Sequence, residues 1–414
     1  MSITVDLVCD ILSPSGYSAH ARELVKALHP VVDLKIVESK HDRMSVQVSE
    51  DELRLYKDLA RKTRAPQVRI QFETPEFFKP QEGVFNIGFT QWETTRIPDT
   101  DLKGEPRLNW VKQMNKMNAM WTSCHMAKKA FVDSGVTVPV DVVQGPIDTD
   151  FYRPRLPELD IRDIVIDREG NVIPREKRVP VVAMIAQWTM RKNIEAFLIT
   201  MLSMFNAGEV IVLLKTYGSS MEDPDQVAMV RERVGALVKL VGNPTPPQVS
   251  LITHKMTDAE IAALYSSIDI YVNTSRGEGF CMPLTQAMAS ECFPISCAFS
   301  APADYIRGRL REGYIDCERG RNSPNGLSVG YTLAPAVGMS YTPWYRHTQM
   351  WGDIDRKGLG DAVRWAIDLR AQKRGSYDSI CRAARETVVS EMSTPQVGLR
   401  VLEILRKYFE PSPA

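Results

Sequence analysis

The sequence has no net charge, since 51 Lys and Arg balance 51 Asp and Glu. Long-range steering of the whole molecule toward a polyanion is therefore not built in, although local patches could still attract one. No C-x-x-C pair occurs among the seven cysteines, Cys9, Cys124, Cys281, Cys292, Cys297, Cys317 and Cys381. Their odd number and largely apolar surroundings argue against a disulfide framework or a zinc site and fit a reducing compartment. No stretch offers the unbroken apolar span that a bilayer crossing needs. The N-terminus, MSITVDLVCDILSPSGYSAH, has no basic region ahead of a long apolar run, so no signal peptide is expected. These absences point to a cytoplasmic protein, at most peripheral to a membrane.

What is present is a chain of 414 residues with 44% hydrophobic and 25% charged content. That length suits two domains of roughly 150 to 200 residues rather than one core. Short β-rich runs appear at ITVDLVC, DLKIV, QVRIQF, FNIGFT, AMWT and VDVVQ, separated by helical patterns. The first helix places Tyr17, Ala21, Leu24, Val25 and Leu28 on one face. Beyond residue 151 the alternation breaks in FYRPRLPELDIRDIVIDREGNVIPREKRVP, a Pro-rich and charged linker with a hairpin-like REGN. It restarts with strands at VVAMIA, EVIVLL, VSLIT, IDIYVNTS and FPISC, and Thr257 with Glu260 has the capping-box spacing. The expected fold is α/β: two doubly wound, Rossmann-like domains with a cleft between them, and ligands at the carboxyl ends of the strands. The expected divisions are 1–165, 166–390 and a C-terminal helix in 391–414. Pro395 suits its first turn, and Val397, Val401, Leu402, Leu405 and Phe409 give it an apolar stripe.

Three segments could carry chemistry. In SPSGYSAHARELV, Gly16 stands between the first strand and first helix, where backbone can approach a ligand and a helix N-terminus faces an anion. The segment is not G-x-G-x-x-G, and a glycine that only turns the chain is an equal alternative. In IAQWTMRKNIEAF, Arg191 and Lys192 occupy the equivalent place in the second half and suit a diphosphate, with a solvated loop pair as the alternative. In RGEGFCMPLTQAMA, Gly277 and Gly279 bracket Glu278, with Pro283 in the first turn of the helix that follows. The glycines would permit a tight turn, and the N–H groups of Gly279 and Phe280 would open toward the cleft. Glu278 and Gln286 would then both face a ligand rich in hydroxyls.

Read in order, IGFTQWETTRIPD, MWTSCHMAKKAFVDSGVTVPVDVVQGPIDTDFYRP, RKNIEAF, VLLKTYG, ITHKMTDAEIAALYSSIDIYVNTSRGEGFCMPLTQAMA and PISCAFSAPADYI resemble the family-four retaining glycosyltransferases of the GT-B fold. The match is spread over most of the chain. The family marks its donor site with two glutamates, one near the transferred sugar and one near the ribose. The resemblance puts Glu278 in the first place and Gln286 in the second. It sets Arg191 and Lys192 on the donor diphosphate, Gly279 and Phe280 as backbone donors, and Gly16 beneath the donor from the first domain. Gln187 stands where an Arg is frequent. No catalytic His is identifiable in the first domain, where Gln91 or Glu93 lies near the expected strand end.

The resemblance implies a nucleotide-diphosphate sugar as donor, a hydroxyl of a glycan or lipid as acceptor, and no metal or other cofactor. Two basic runs would suit an anionic surface, whether lipid headgroup or nucleic acid: RLYKDLARKTR, with Arg54, Lys57, Arg61 and Arg64 on one face, and YIRGRLREGYIDCERGR. A solvated face is the simpler account of each. Transfer to hydroxymethylated bases of DNA is the alternative enzymatic reading. A non-catalytic module that binds a nucleotide sugar is the alternative from another class.

Overall fold

The computed structural model describes residues 2–39, 48–154, 179–218, 223–311, 313–317, 324–339, 342–346 and 348–409. The linker reading, its REGN turn and the expected boundary at residue 165 lie outside the described residues.

The first half forms a parallel six-stranded sheet in the order β2-β1-β3-β4-β5-β6. Its strands are β1 (Thr4–Cys9), β2 (Asp33–Glu38), β3 (Val68–Phe72), β4 (Phe85–Phe89), β5 (Ala119–Thr122) and β6 (Val140–Val142). Each overlaps a run read from sequence. The second half forms a sheet with β7 (Val181–Gln187), β8 (Ile211–Tyr217), β9 (Gln248–Ile252), β10 (Ile270–Asn273), β11 (Phe293–Cys297), β12 (Gly308–Arg311), β13 (Tyr314–Cys317) and β14 (Leu327–Val329). Its order is β13-β12-β14-β11-β10-β7-β8-β9, parallel except for the β12–β13 hairpin. Every residue of β10 and β11 is buried, as strands covered by helices on both faces must be. The second basic run is therefore largely the β12–β13 hairpin, and Arg311 pairs with Asp316 at 3.1 Å.

Local signals are honoured where they were strongest. Thr257 and Glu260 form a complete capping box at the helix Asp258–Ser266. The first basic run is different. Its helix ends at Ala60, and Arg64 turns back to Asp6 at 2.7 Å and Asp33 at 3.1 Å, so it does not share a face with Arg54, Lys57 and Arg61.

The chain returns to the first half near its end. Ile147 N–H donates to the Met392 carbonyl at 2.7 Å, and Thr394 N–H donates to the Ile147 carbonyl at 3.2 Å. The helix Thr394–Phe409 then packs on the helix Gly16–Leu28, and Gly398 makes this contact close: a Cβ there would sit 2.2 Å from the Ala27 carbonyl oxygen. One element was not legible beforehand. The antiparallel pair β15 (Tyr331–Pro335) and β16 (Met350–Ile354) carries a connection, 336–349, that leans onto the first half. Thr95 N–H donates to the Met350 carbonyl at 2.9 Å, and Met350 N–H donates to Thr95 Oγ1 at 3.0 Å. Among the described residues, no helix is long and apolar enough to cross a membrane.

Candidate active site

The loops that leave β7 and β10 lie side by side, because those strands are neighbours in the sheet. Arg276 N–H donates to the Arg191 carbonyl at 2.8 Å, and the Thr274 hydroxyl donates to the Asn193 carbonyl at 2.9 Å. Three non-glycine residues with left-handed backbone cluster here: Asn193 (φ 54°), Cys281 (φ 70°) and Ser300 (φ 60°). Such conformations cost about 1–3 kcal/mol each and persist where the surroundings over-determine them, commonly at functional sites.

Glu278 is 5% exposed and receives both cations. Lys192 Nζ lies 2.5 Å from Oε1, and Arg191 donates to Oε2 at 3.1 Å and to the Gly277 carbonyl at 2.8 Å. The Glu278 N–H donates to Ser300 Oγ at 2.8 Å, fixing the backbone below the carboxylate. Burial opposes ionisation, yet Lys192 and Arg191 together hold the carboxyl down to about 2. Glu278 is thus a carboxylate throughout the neutral range, unable to act as a proton donor there. Its depressed pKa adds stability that is complete above the ordinary value of 4.5 and is lost as pH falls through about 2. Chemical unfolding measured from pH 6 to 2 should show this loss, about 3 kcal/mol in total. A Glu278→Gln protein should show a correspondingly shallower acid limb.

Arg191 also reaches across to the first half, with Nε 3.3 Å from Glu93 Oε1. Burial disfavours its charge, but Glu93 and Glu278 more than offset this and raise its pKa. The Tyr345 hydroxyl, from the connection between β15 and β16, also donates to Glu93. Carboxylates and cations therefore alternate across the cleft, from Lys192 through Glu278 and Arg191 to Glu93.

The two glycines bracketing Glu278 do not serve a tight turn of left-handed residues, since neither has positive φ. They serve close approach of the two halves. A Cβ on Gly277 would lie 2.1 Å from the Glu93 carbonyl oxygen, and one on Gly279 would lie 2.7 Å from Gln91 Cβ. Gly145 does the same from the other side, where a Cβ would meet the Phe280 ring at 2.5 Å. Gln91 donates through Nε2 to Ser123 Oγ at 2.7 Å, and its buried Oε1, beside Gly279, has no partner among the described residues.

Phe280 accepts from the Tyr305 hydroxyl through its carbonyl at 2.9 Å, and its ring lies 5.4 Å from that of His20. Burial lowers the His20 pKa to about 3, so this imidazole is neutral. Gln286 lies on the helix Met282–Ala289, and its Oε1 accepts from the Tyr265 hydroxyl at 3.2 Å. Tyr265 takes one lone pair of this oxygen, and the second is left to accept from a ligand hydroxyl.

Gly16 is exposed at the first turn of its helix, capped by Ser15, and a Cβ there would meet nothing within 4 Å. It is not drawn into the charged cluster. Its neighbour Tyr17 lies nearer the cleft, where its hydroxyl accepts from the Gln91 N–H at 3.0 Å. Sequence reasoning missed Tyr345, Ser300, His20 and Tyr17. Tyr345 lies more than 250 residues from Glu93, and no local spacing could announce the pair.

Residues 180–319, which contain Arg191, Lys192, Glu278 and Gln286, match the family described as "Glycosyl transferases group 1". No curated protein matches the chain. Among solved structures, sucrose-phosphate synthase from Thermosynechococcus elongatus is 13% identical, with a TM-score of 0.63 over 98% of this chain and 99% of that one. Anabaena HepE in complex with UDP-glucose is 11% identical, with a TM-score of 0.59 over 97% and 99%. S. aureus TarM, in a complex that includes UDP, is 12% identical, with a TM-score of 0.52 over 81% of this chain and 55% of that one. At these identities the likeness establishes the fold: two Rossmann-like domains in the GT-B arrangement.

Proposed function

We propose that this protein transfers a sugar from a nucleotide-diphosphate sugar to a hydroxyl of a glycan or lipid acceptor. The observation that carries the proposal is the buried Glu278 carboxylate held between Lys192 and Arg191, in the segment that matches the glycosyltransferase family. Without donor, the two cations neutralise Glu278. A diphosphate would compete for them, because Arg binds phosphate in a bidentate fork and Lys as a point charge. Glu278 would then be free to accept hydrogen bonds from the hydroxyls of the transferred sugar. The bond from the anomeric carbon to the β-phosphate oxygen breaks and the nucleoside diphosphate leaves. The acceptor oxygen bonds to that carbon, and its proton passes to the departing phosphate. Arg191 and Lys192 would stabilise the developing negative charge. Removing one such group typically costs a factor of about 10²–10³ in rate. In this reading the chain supplies the neutralising charge and needs no metal. Retention at the anomeric carbon is proposed from the resemblance of the motif series, and the anomeric configuration of the product, read by NMR, checks it.

Structures with this fold contain UDP and UDP-glucose, which makes uridine diphosphate sugars the first donors to test. A thermal-shift panel of nucleoside diphosphates and their sugars should raise the melting midpoint with at least one member. A ligand at a hundred times its Kd adds about 2.7 kcal/mol to a folded state that alone binds it. A flat panel would count against the proposal. Gln286→Glu should tighten nucleotide binding about fivefold by calorimetry, because a charged acceptor adds roughly 1 kcal/mol over a neutral one. Unchanged affinity would remove Gln286 from the ribose side of the site. Arg64 and Arg311 each pair with a carboxylate of the chain, which leaves fewer cations of the two basic runs for an anionic acceptor.

A further inference from the structure

The connection between β15 and β16 does more than tie Tyr345 to Glu93. Its Trp344 ring packs on Trp110 with centroids 5.4 Å apart, and Trp110 packs in turn on Trp92 at 4.7 Å. Tyr345 stacks on Trp92 at 5.7 Å, so the connection is seated by an aromatic run from the first domain. Trp344 is only partly buried by this packing, and it also lines a separate cavity of about 330 Å³. That volume is at the lower end of small-molecule sites, about 300–1,000 Å³. The opposite wall comes from the first domain, with Glu76, Phe77, Lys103, Glu105 and Arg107.

Three properties of this cavity suggest its ligand. Its walls hold two carboxylates and two cations, so it presents no net charge to favour an anion. It offers an aromatic ring beside directed polar groups, which suits the apolar C–H face and the hydroxyl edge of a sugar. Its polar rim is also fixed in place. Lys103 (φ 51°) and Gly104 (φ 73°) are both left-handed in a tight turn closed by the Glu105 N–H to the Leu102 carbonyl at 2.8 Å. Glu76 Oε2 and Trp110 Nε1 are both buried. Burial raises the Glu76 carboxyl above its ordinary range, partly offset by the Thr74 hydroxyl, which donates to Oε1 at 2.8 Å.

We propose that this cavity is a subsite for a neutral sugar ring of the acceptor, with Trp344 of the second domain as its stacking platform and Lys103 at its rim. The subsite rests on the glycosyltransferase reading and narrows its acceptor to a glycan. Because Trp344 is adjacent to Tyr345, the same connection would join the acceptor subsite to the charged chain that includes Glu278.

The test is saturation-transfer NMR on the full chain with methyl glycosides of glucose, galactose, mannose, xylose and N-acetylglucosamine, alongside inorganic phosphate titrated by calorimetry. At least one glycoside should bind, with affinity at least tenfold weaker in Trp344→Ala and severalfold weaker in Lys103→Ala. UDP binding, measured on the same proteins, should be unchanged, which separates failure of this subsite from failure of the donor reading. No glycoside binding, binding indifferent to both substitutions, or phosphate binding lost in Lys103→Ala would each overturn the proposal.

Discussion

Glu278→Gln should reduce sugar transfer by at least about 10³-fold, the upper range for loss of one transition-state group. It should leave nucleoside diphosphate binding intact or tighter. The two effects separate because the cations serve two partners in turn. In the unliganded protein Lys192 and Arg191 are engaged by Glu278, so a diphosphate has to displace that carboxylate. An amide holds the cations less strongly and yields them more readily, while giving less to a sugar hydroxyl in the transition state. Stability should fall as well. Arg191 keeps Glu93 as a partner at 3.3 Å, but Lys192 loses its buried counter-ion. Breaking a buried pair from one side costs about 3–5 kcal/mol, enough to lower a domain's melting midpoint by roughly 10 °C. Calorimetric titration with UDP, a transfer assay and a melting curve at pH 7 together read all three effects. Weaker UDP binding in the variant would mean that the carboxylate organises the phosphate site and does not compete for it.

Gly277→Ala should be nearly as damaging to turnover without unfolding either domain. The added methyl would stand 2.1 Å from the Glu93 carbonyl oxygen and 3.0 Å from its carbonyl carbon. Because the obstacle is backbone, no side-chain rotation relieves it, and the two halves must draw apart. The Arg191–Glu93 and Tyr345–Glu93 links stretch with them. A misplacement of about 1 Å can cost about 10² in rate when catalysis depends on position. The expected result is a kcat at least about 10²-fold lower, an unchanged far-UV circular dichroism spectrum, and a larger radius of gyration by small-angle scattering. Gly235→Ala is the control. It sits in the helix Pro224–Val241 where a Cβ meets nothing within 4 Å, and it should be neutral or stabilising by up to about 1 kcal/mol. A Gly277→Ala protein with wild-type turnover would show that the close approach of the two halves is not part of the catalytic state.

Much of this fold was legible because parallel strands buried on both faces are continuous apolar runs. VVAMIA, IDIYVNTS and FPISC could hardly be anything else, and Thr257 with Glu260 announced a helix start from four residues. Glu278, Arg191 and Lys192 stand out in the sequence as candidate site residues because each follows a strand and precedes a helix, where such sheets open toward ligands. Their mutual pairing was not legible, since it depends on β7 and β10 being neighbours although residues 188–269 separate them in sequence. The glycines flanking Glu278 act through their missing side chains. Sequence suggests backbone freedom first, whereas here a glycine leaves room for Gln91 and Glu93 of the other domain. The pair β15–β16 is hidden in the sequence because residues 336–349 separate its two strands. The polar role of Gln286 likewise turned on a partner, Tyr265, on a different helix.

The most direct measurement is release of nucleoside diphosphate from a panel of nucleotide sugars, with methyl glycosides as acceptors, by wild-type and Glu278→Gln protein side by side. The account predicts release by the wild type with at least one donor, stimulated by an acceptor glycoside, and nearly absent from the variant although the variant still binds the nucleotide. Binding of nucleotide sugar without release under any pairing, or release at equal rates from both proteins, would contradict it.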